Sequence, residues 1–233
     1  MARRPRVIIP GIPLHITQRS VNRTPMFFGE ADFRCFLRAL LWASERSGCL
    51  IHAYVLMSNH VHLLLTPDHL VGPPRMLKSI GALFVQHVNK QQARTGALWE
   101  RRYRSSVVVS QRYFLVCSRY IELNPVRAGM VDHPSQYRWS SYHRNADGCP
   151  DALITPHPLY QALGSTDQDR RLTYRGLTDQ ALDAREVDDL RAATRSGAVL
   201  RGLAGVGTGS DPGRGGARGG SPKPKLAKAP PVA

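Results

Sequence analysis

The stretch Tyr54–Pro67, YVLMSNHVHLLLTP, decides how this chain is read. It is the most apolar segment of the sequence, yet His60 and His62 stand inside it with one residue between them. Two β-type runs, CLIHAYVLM and HVHLLLT, flank the polar pair Ser58-Asn59. That is a hairpin signature, and Asn tolerates the left-handed conformation some tight turns need. On a strand alternate side chains share a face, so the two imidazoles project together, about 7 Å apart at the backbone. Burying an imidazole without a partner is costly, so the pair either finds ordinary hydrogen bonds or holds a cation. A closed zinc site would want a third and fourth nitrogen or sulfur ligand, and no second H-x-H or H-x-x-x-H follows.

The neighbouring segments supply the rest of a small sheet. In LHITQRS, Leu14, Ile16 and Gln18 share one face of a strand and His15, Thr17 and Arg19 the other. From Glu30 to Gly48, Phe33, Phe36, Leu37, Leu40 and Leu41 recur at helical spacing before a closing glycine. A second helix, PPRMLKSIGALFVQHVNKQQARTG, opens on prolines and carries Met76, Leu77, Ile80, Leu83, Phe84 and Val88 in one stripe. LWERRYRSSVVVS ends in a β-branched run, and QRYFLVCSRYIELN is a third helix stopped by Pro125. The order β-α-β-β-α-β-α predicts an α+β fold, an antiparallel sheet with helices packed on one face.

Beyond Gly129 the pattern is less regular, with two or three short helices expected between Thr155 and Ser196. From about Gly197 the chain turns rich in glycine, proline and basic residues, too poor in large apolar side chains to offset its ordering entropy. The expected organisation is a main domain over 1–145, a helical extension over 146–196 and a disordered basic tail over 197–233.

The charge balance names the class of partner. There are 32 Lys+Arg against 17 Asp+Glu, a formal net charge of +15 and a pI near 10.4. Such an excess favours a polyanion, nucleic acid first. No long apolar span and no basic amphipathic helix argues for a membrane. Cys35, Cys49, Cys117 and Cys149 form no C-x-x-C pair, and the start MARRPRVIIPGIPLH lacks a signal-peptide apolar core. Free thiols in a reducing cytoplasm are expected.

In RYIELNPVRAG, Tyr120 and Asn124 lie four residues apart, one above the other on a helical face. A phenol is a possible nucleophile and an amide oxygen a possible hard ligand. Two imidazoles and one amide oxygen leave positions open for phosphate oxygens and water, which suits Mg²⁺ or Mn²⁺ in phosphoryl chemistry. A zinc hydrolase lacks a base here, since Glu122 faces about 160° away from Tyr120 on the helix.

In chain order, LHITQRS, SNHVHLLL, LWERRYR, RYIELNPVRAGMV and YRWSSY resemble the Y1 transposases of the IS200/IS605 type. These are tyrosine nucleases of the His-hydrophobic-His class, and within them the sequence is most similar to the REP-associated tyrosine transposases. The resemblance runs from about Arg6 to Tyr142, and it implies a ferredoxin-like fold. It also implies metal ligation by His60 and His62 and nucleophilic attack by Tyr120. Asn124 stands where insertion-sequence members place Gln as third ligand. The amide oxygen is kept with a shorter reach, which points to the REP-associated branch.

The implied activity is metal-dependent cutting and strand transfer of single-stranded DNA at REP-like palindromic hairpins, through a 5′-phosphotyrosine. The implied cofactor is Mg²⁺ or Mn²⁺, with no small-molecule cofactor and no membrane partner. A cytoplasmic, nucleoid-associated bacterial protein acting as a monomer is expected, although insertion-sequence members are dimers. Arg19, Arg101, Arg102, Arg104, Arg119 and Arg127 are candidates for holding phosphates, and Trp99 and Tyr103 for stacking on unpaired bases. Arg119 should face elsewhere on the helix than Tyr120. Trp139 and Tyr142 could stack likewise or pin their segment to the core. The alternative is a domesticated regulator that binds DNA or RNA hairpins without cutting, which would need none of His60, His62, Tyr120 and Asn124.

Overall fold

The computed structural model describes residues 6–200. Its centre is the hairpin: β2 (Cys49–Met57) and β3 (His60–Pro67) pair antiparallel, with Met57 opposite His60 across Ser58-Asn59. Neither turn residue takes a positive φ, contrary to the left-handed expectation. The turn is shaped from outside instead: the Ser58 carbonyl accepts the Met26 N–H and the Asn59 carbonyl accepts the Ser20 N–H. Both donors lie just after β1 (Leu14–Arg19), the strand antiparallel to β3.

On its other side β1 pairs antiparallel with β4 (Arg104–Val108), which is joined in parallel by the short β5 (Val199–Leu200). The sheet order β2-β3-β1-β4-β5 is the ferredoxin-like arrangement with one strand added. β5 occupies residues expected to begin the tail, and the remainder of that tail lies outside the described residues.

Helix α1 (Glu30–Arg46) starts where the Asp32 carboxylate accepts the Phe28 and Gly29 N–H groups. It ends before Gly48, whose φ of +57° favours glycine, and where a Cβ would lie 2.9 Å from Asp68 Oδ2. α2 (Gly72–Gln91) opens on Pro73 and Pro74, where the missing N–H groups are not needed. Phe36 and Leu40 of α1 and Met76, Ile80 and Phe84 of α2 pack on Leu14, Ile16, Val61, Leu63 and Leu65.

The opposite face is covered too. Helix α3 (Gln111–Glu122) sets Phe114, Cys117 and Ile121 against Ala53, Val55 and Leu64, and α8 (Ala184–Ser196) adds Val187 and Leu190. Helices on a single face were expected; α1 and α2 meet that expectation and α3 and α8 do not. The cause is written in the central strands, where every residue from Ile51 to Met57 and from Val61 to Leu65 is buried. An unbroken apolar run, unlike an alternating one, belongs to a sheet buried on both sides.

α3 stops at Glu122, and Pro125 falls in the first turn of the next segment, α4 (Asn124–Arg127). α5 (Tyr142–Asn145) closes the expected main domain, and the extension continues through α6 (Pro158–Gln161) and α7 (Asp167–Asp179). Glu122 ties it to α3. Its buried carboxylate accepts Ser141 Oγ at 2.6 Å, Asn145 Nδ2 at 2.8 Å and Tyr174 Oη at 2.8 Å, and burial pushes its pKa up to about 7. Trp139 and Tyr142 also belong to the core: Trp139 stacks on Phe33 with centroids 4.5 Å apart, and Tyr142 is fully buried. All four cysteines are free. Among the described residues no helix is long and apolar enough to cross a membrane.

Candidate active site

Strand register assembles a polar column on the α3 side of the sheet. Thr17 lies opposite His62 and Arg19 opposite His60, while on the other flank His15 lies opposite Ser106 and Thr17 opposite Arg104. Strand alternation turns all of these to one face. α3 crosses that face and lowers Tyr120 onto it, edge-on, with ring centroids 5.8 Å from His62 and 6.0 Å from His15. Tyr120 is 7% exposed, and no protein group among the described residues bonds its hydroxyl. The Arg127 guanidinium sits over its ring, 4.9 Å from the centroid.

One turn beyond, the Asn124 amide nitrogen donates to the Tyr120 carbonyl at 2.8 Å, which leaves the amide oxygen as its ligating group. His60 is fixed in the same manner. Asn59 Nδ2 donates to the Arg23 carbonyl, so its Oδ1 must accept the proton of His60 Nδ1, 2.7 Å away. The lone pair of His60 is thereby placed on Nε2. His62 Nδ1 lies 2.9 Å from His15 Nε2 and 3.1 Å from Thr17 Oγ1.

Burial, with the nearby Arg19, lowers the pKa of His60 to about 4. Burial, followed by the neighbouring His15, His60, Arg19 and Arg127, holds His62 well below its ordinary range. Both imidazoles are therefore neutral at pH 7. Two neutral imidazoles and an amide oxygen fit a divalent cation that keeps open positions for oxygen ligands. His15 adds no third imidazole, because its nitrogens are bonded to His62 and Thr194. Among the described residues no group of three His, Cys, Asp or Glu side chains is arranged to hold a metal, so a closed zinc site has no support.

These groups open into a cavity of about 500 Å³ lined by seven arginines and one carboxylate, Glu100. Arg19, Arg101, Arg102 and Arg104, candidates for holding phosphates, stand there, joined by Arg23, Arg191 and Arg195. Four other candidates, Arg127 over the Tyr120 ring and Arg119, Trp99 and Tyr103, do not line this cavity. Arg119 is buried and donates to the Gln180 carbonyl at 2.6 Å. Trp99 packs over Phe84, with centroids 6.1 Å apart, and Tyr103 is buried beneath the Arg6 guanidinium. Both aromatics pack against the core where β1 hydrogen-bonds their segment, Ser20 bridging to Trp99 and the Glu100 N–H donating to the Arg19 carbonyl.

Sequence reasoning missed His15, Thr17, Asn59 and the α8 residues. The alternation of His15, Thr17 and Arg19 was visible, but only the pairing of β1 with β3 brings that face beneath the histidines. Arg191, Thr194 and Arg195 carried no local signal.

Acid should weaken this fold. His15, His52 and His60 are lowered to about 4, and His62 is held well below its ordinary range, mainly by burial. Between pH 6.5 and 4 the unfolded chain binds protons at these positions that the native chain refuses, so stability falls as pH falls. Glu122, raised to about 7, acts oppositely between pH 4.5 and 7, one group against four. The thermal midpoint is expected to be lower at pH 5 than at pH 7, measured at constant ionic strength.

The family model described as "Transposase IS200 like" matches residues 9–124, the span that carries both histidines, the tyrosine and Asn124. The chain belongs to the IS200-like, or Y1, transposases. Among solved structures, a REP-associated tyrosine transposase bound to a REP hairpin aligns at a TM-score of 0.53 and 19% identity. That alignment covers 67% of this chain and 93% of the other, and at such identity it shows a shared fold. A proposed transposase from Deinococcus radiodurans R1 aligns at 22% identity over 52% of this chain and 96% of its own, but its TM-score of 0.36 carries no argument. No curated protein matches. The family match of this transposase ends at Asn124, so α8, with Arg191, Thr194 and Arg195, lies outside it.

Proposed function

We propose that this transposase cuts and rejoins single-stranded DNA at hairpin-forming, REP-like palindromes, with Tyr120 as nucleophile and His60, His62 and Asn124 holding Mg²⁺ or Mn²⁺. The observation that carries this reading is the Tyr120 ring set edge-on to His62, which in turn lies against His60, with all three lining one arginine-rich cavity. A pure binding protein needs the arginines but not that arrangement. The hairpin bound by the structurally similar REP-associated protein supports the class of substrate.

The arginines of the cavity offset the charge of the phosphodiester backbone and bring a strand over Tyr120. Tyr120 Oη attacks phosphorus and the bond from phosphorus to the 3′ oxygen breaks. The phenolic proton leaves to solvent, and the departing 3′ oxygen takes one up. The products are a 5′-phosphotyrosine and a free 3′-hydroxyl. A second 3′-hydroxyl can reverse the step and join strands, because the phosphodiester has been exchanged and not hydrolysed. Arg127, over the ring of Tyr120, stabilises negative charge as it develops on the phenolic oxygen. A divalent cation held by the two imidazoles and the amide oxygen would supply Lewis-acid polarisation of the scissile phosphate. Tyr120, His60 and His62 meet within one chain, which supports action as a monomer.

The direct test incubates a labelled single-stranded palindromic hairpin with the protein and Mg²⁺ or Mn²⁺, and resolves products under denaturing conditions. Cleavage with a covalent protein–DNA adduct is expected. Binding without cleavage in either metal would establish the regulator instead. The double variant Arg101→Ala, Arg102→Ala should weaken hairpin binding. It should also flatten the salt dependence by about 0.7 in log–log slope for each phosphate no longer neutralised. An unchanged slope would remove these arginines from the DNA path.

A further inference from the structure

We propose that α8, beyond the family-matched segment, sets the tautomer of His62 through His15, making Thr194 and His15 positioning residues of the metal site. The inference rests on the reading of His62 as a ligand. Its starting point is a hydroxyl with only one proton to give. Thr194 Oγ1 donates to the carbonyl of Leu190, one helical turn back, at 2.7 Å, and a carbonyl can only accept. The same oxygen lies 3.0 Å from His15 Nδ1, 179 residues away along the chain. With its own proton on that carbonyl, Thr194 accepts there and from Ser106 Oγ, 3.4 Å away, so His15 carries its proton on Nδ1.

His15 is 1% exposed, and its nitrogens are bonded to Thr194 and His62, with no carboxylate among its partners. A buried imidazolium without a counter-charge is costly, so the ring is neutral and its Nε2 can only accept. The donor 2.9 Å away is His62 Nδ1, and the two rings lie within 13° of parallel, which keeps the bond near both ring planes. His62 therefore holds its proton on Nδ1 and presents the lone pair of Nε2, in the tautomer that Asn59 imposes on His60.

Thr17 cannot fix this order alone. Its hydroxyl, 3.1 Å from His62 Nδ1, is able to donate as well as accept. Only the carbonyl at the far end of the chain through Thr194 and His15 gives the sequence of protons a direction. Without that anchor, His15 can move its proton to Nε2 and donate to His62 Nδ1. The remaining proton of His62 then sits on Nε2, where a cation would bind. Groups beyond the ligands that orient metal-binding imidazoles commonly change metal affinity by about 10–100-fold.

Nitrogen-15 NMR of the imidazoles reads the tautomers in the full chain, without metal or DNA. The expected result is a pyridine-like Nε2 and a protonated Nδ1 for His15, His60 and His62. In Thr194→Val, which keeps shape but removes the hydroxyl, a population of His62 protonated on Nε2 should appear. Mn²⁺ affinity, followed by electron paramagnetic resonance, should fall about tenfold, and Thr194→Ser should restore both. A His62 protonated on Nε2 in the unmodified chain overturns the inference, and that measurement needs no variant to fold. Unchanged tautomer and unchanged Mn²⁺ affinity in Thr194→Val overturn it as well. A chain that cleaves hairpins with His62 protonated on Nε2 sinks only this inference. A chain that never cleaves but shows the stated tautomers and Mn²⁺ response sinks only the nuclease reading.

Discussion

Tyr120→Phe is expected to abolish both hairpin cleavage and the covalent adduct while leaving hairpin binding close to that of the unmodified protein. The substitution removes one oxygen and keeps the ring, so the contacts of Tyr120 with His15, His62 and Arg127 remain. Among the described residues no group bonds that oxygen, so its loss should cost little stability. The loss in rate should be about a thousandfold or more, as for other enzymes deprived of the attacking atom. Binding, measured by gel shift at fixed salt, depends on the arginines of the cavity and should not follow. Cleavage that survives the substitution would transfer the nucleophile to another group, most simply water.

Removal of the cation should be nearly as severe. Chelation of the unmodified protein with EDTA is expected to stop cleavage, and Mn²⁺ or Mg²⁺ in excess to restore it, with no change in fold. His62→Ala and His60→Ala should each lower cleavage by at least about a hundredfold, because losing a ligand exceeds the loss of a group that merely orients one. The two variants differ in stability. His62 is buried and leaves the acceptor at His15 without its donor, whereas His60 is bonded to Asn59 at the edge of the cavity. His62→Ala should therefore also lower the thermal midpoint, and His60→Ala should lower it less. Full activity of His60→Ala at saturating metal would remove that residue from the site.

The features of this protein that were legible in the sequence share a physical origin. β2, β3, α1 and α2 declared themselves through local periodicity and glycine or proline punctuation, and their boundaries lie close to those read from the residues. His60 and His62 were legible because alternation puts them on one face, and Tyr120 with Asn124 because helical spacing stacks them. What escaped depends on tertiary placement. That the sheet is covered on both faces was signalled by the unbroken apolar runs of β2 and β3, but that α3 and α8 supply the second cover is set by tertiary packing. Arg119 and Tyr103 look like their neighbours in sequence, and only packing sends one to Gln180 and the other beneath Arg6. His15 was visible as a strand residue, yet its bond to Thr194 spans nearly the whole described chain.

The central claim is that Tyr120 forms the bond to DNA. Mass spectrometry of a proteolytic digest, taken after reaction with a hairpin in Mn²⁺, tests it most directly. The expected product is one nucleotide-bearing peptide, with Tyr120 joined to the 5′ phosphate of the cut strand. An adduct on any other residue, or cut DNA with a free 5′ phosphate and no adduct, would contradict it.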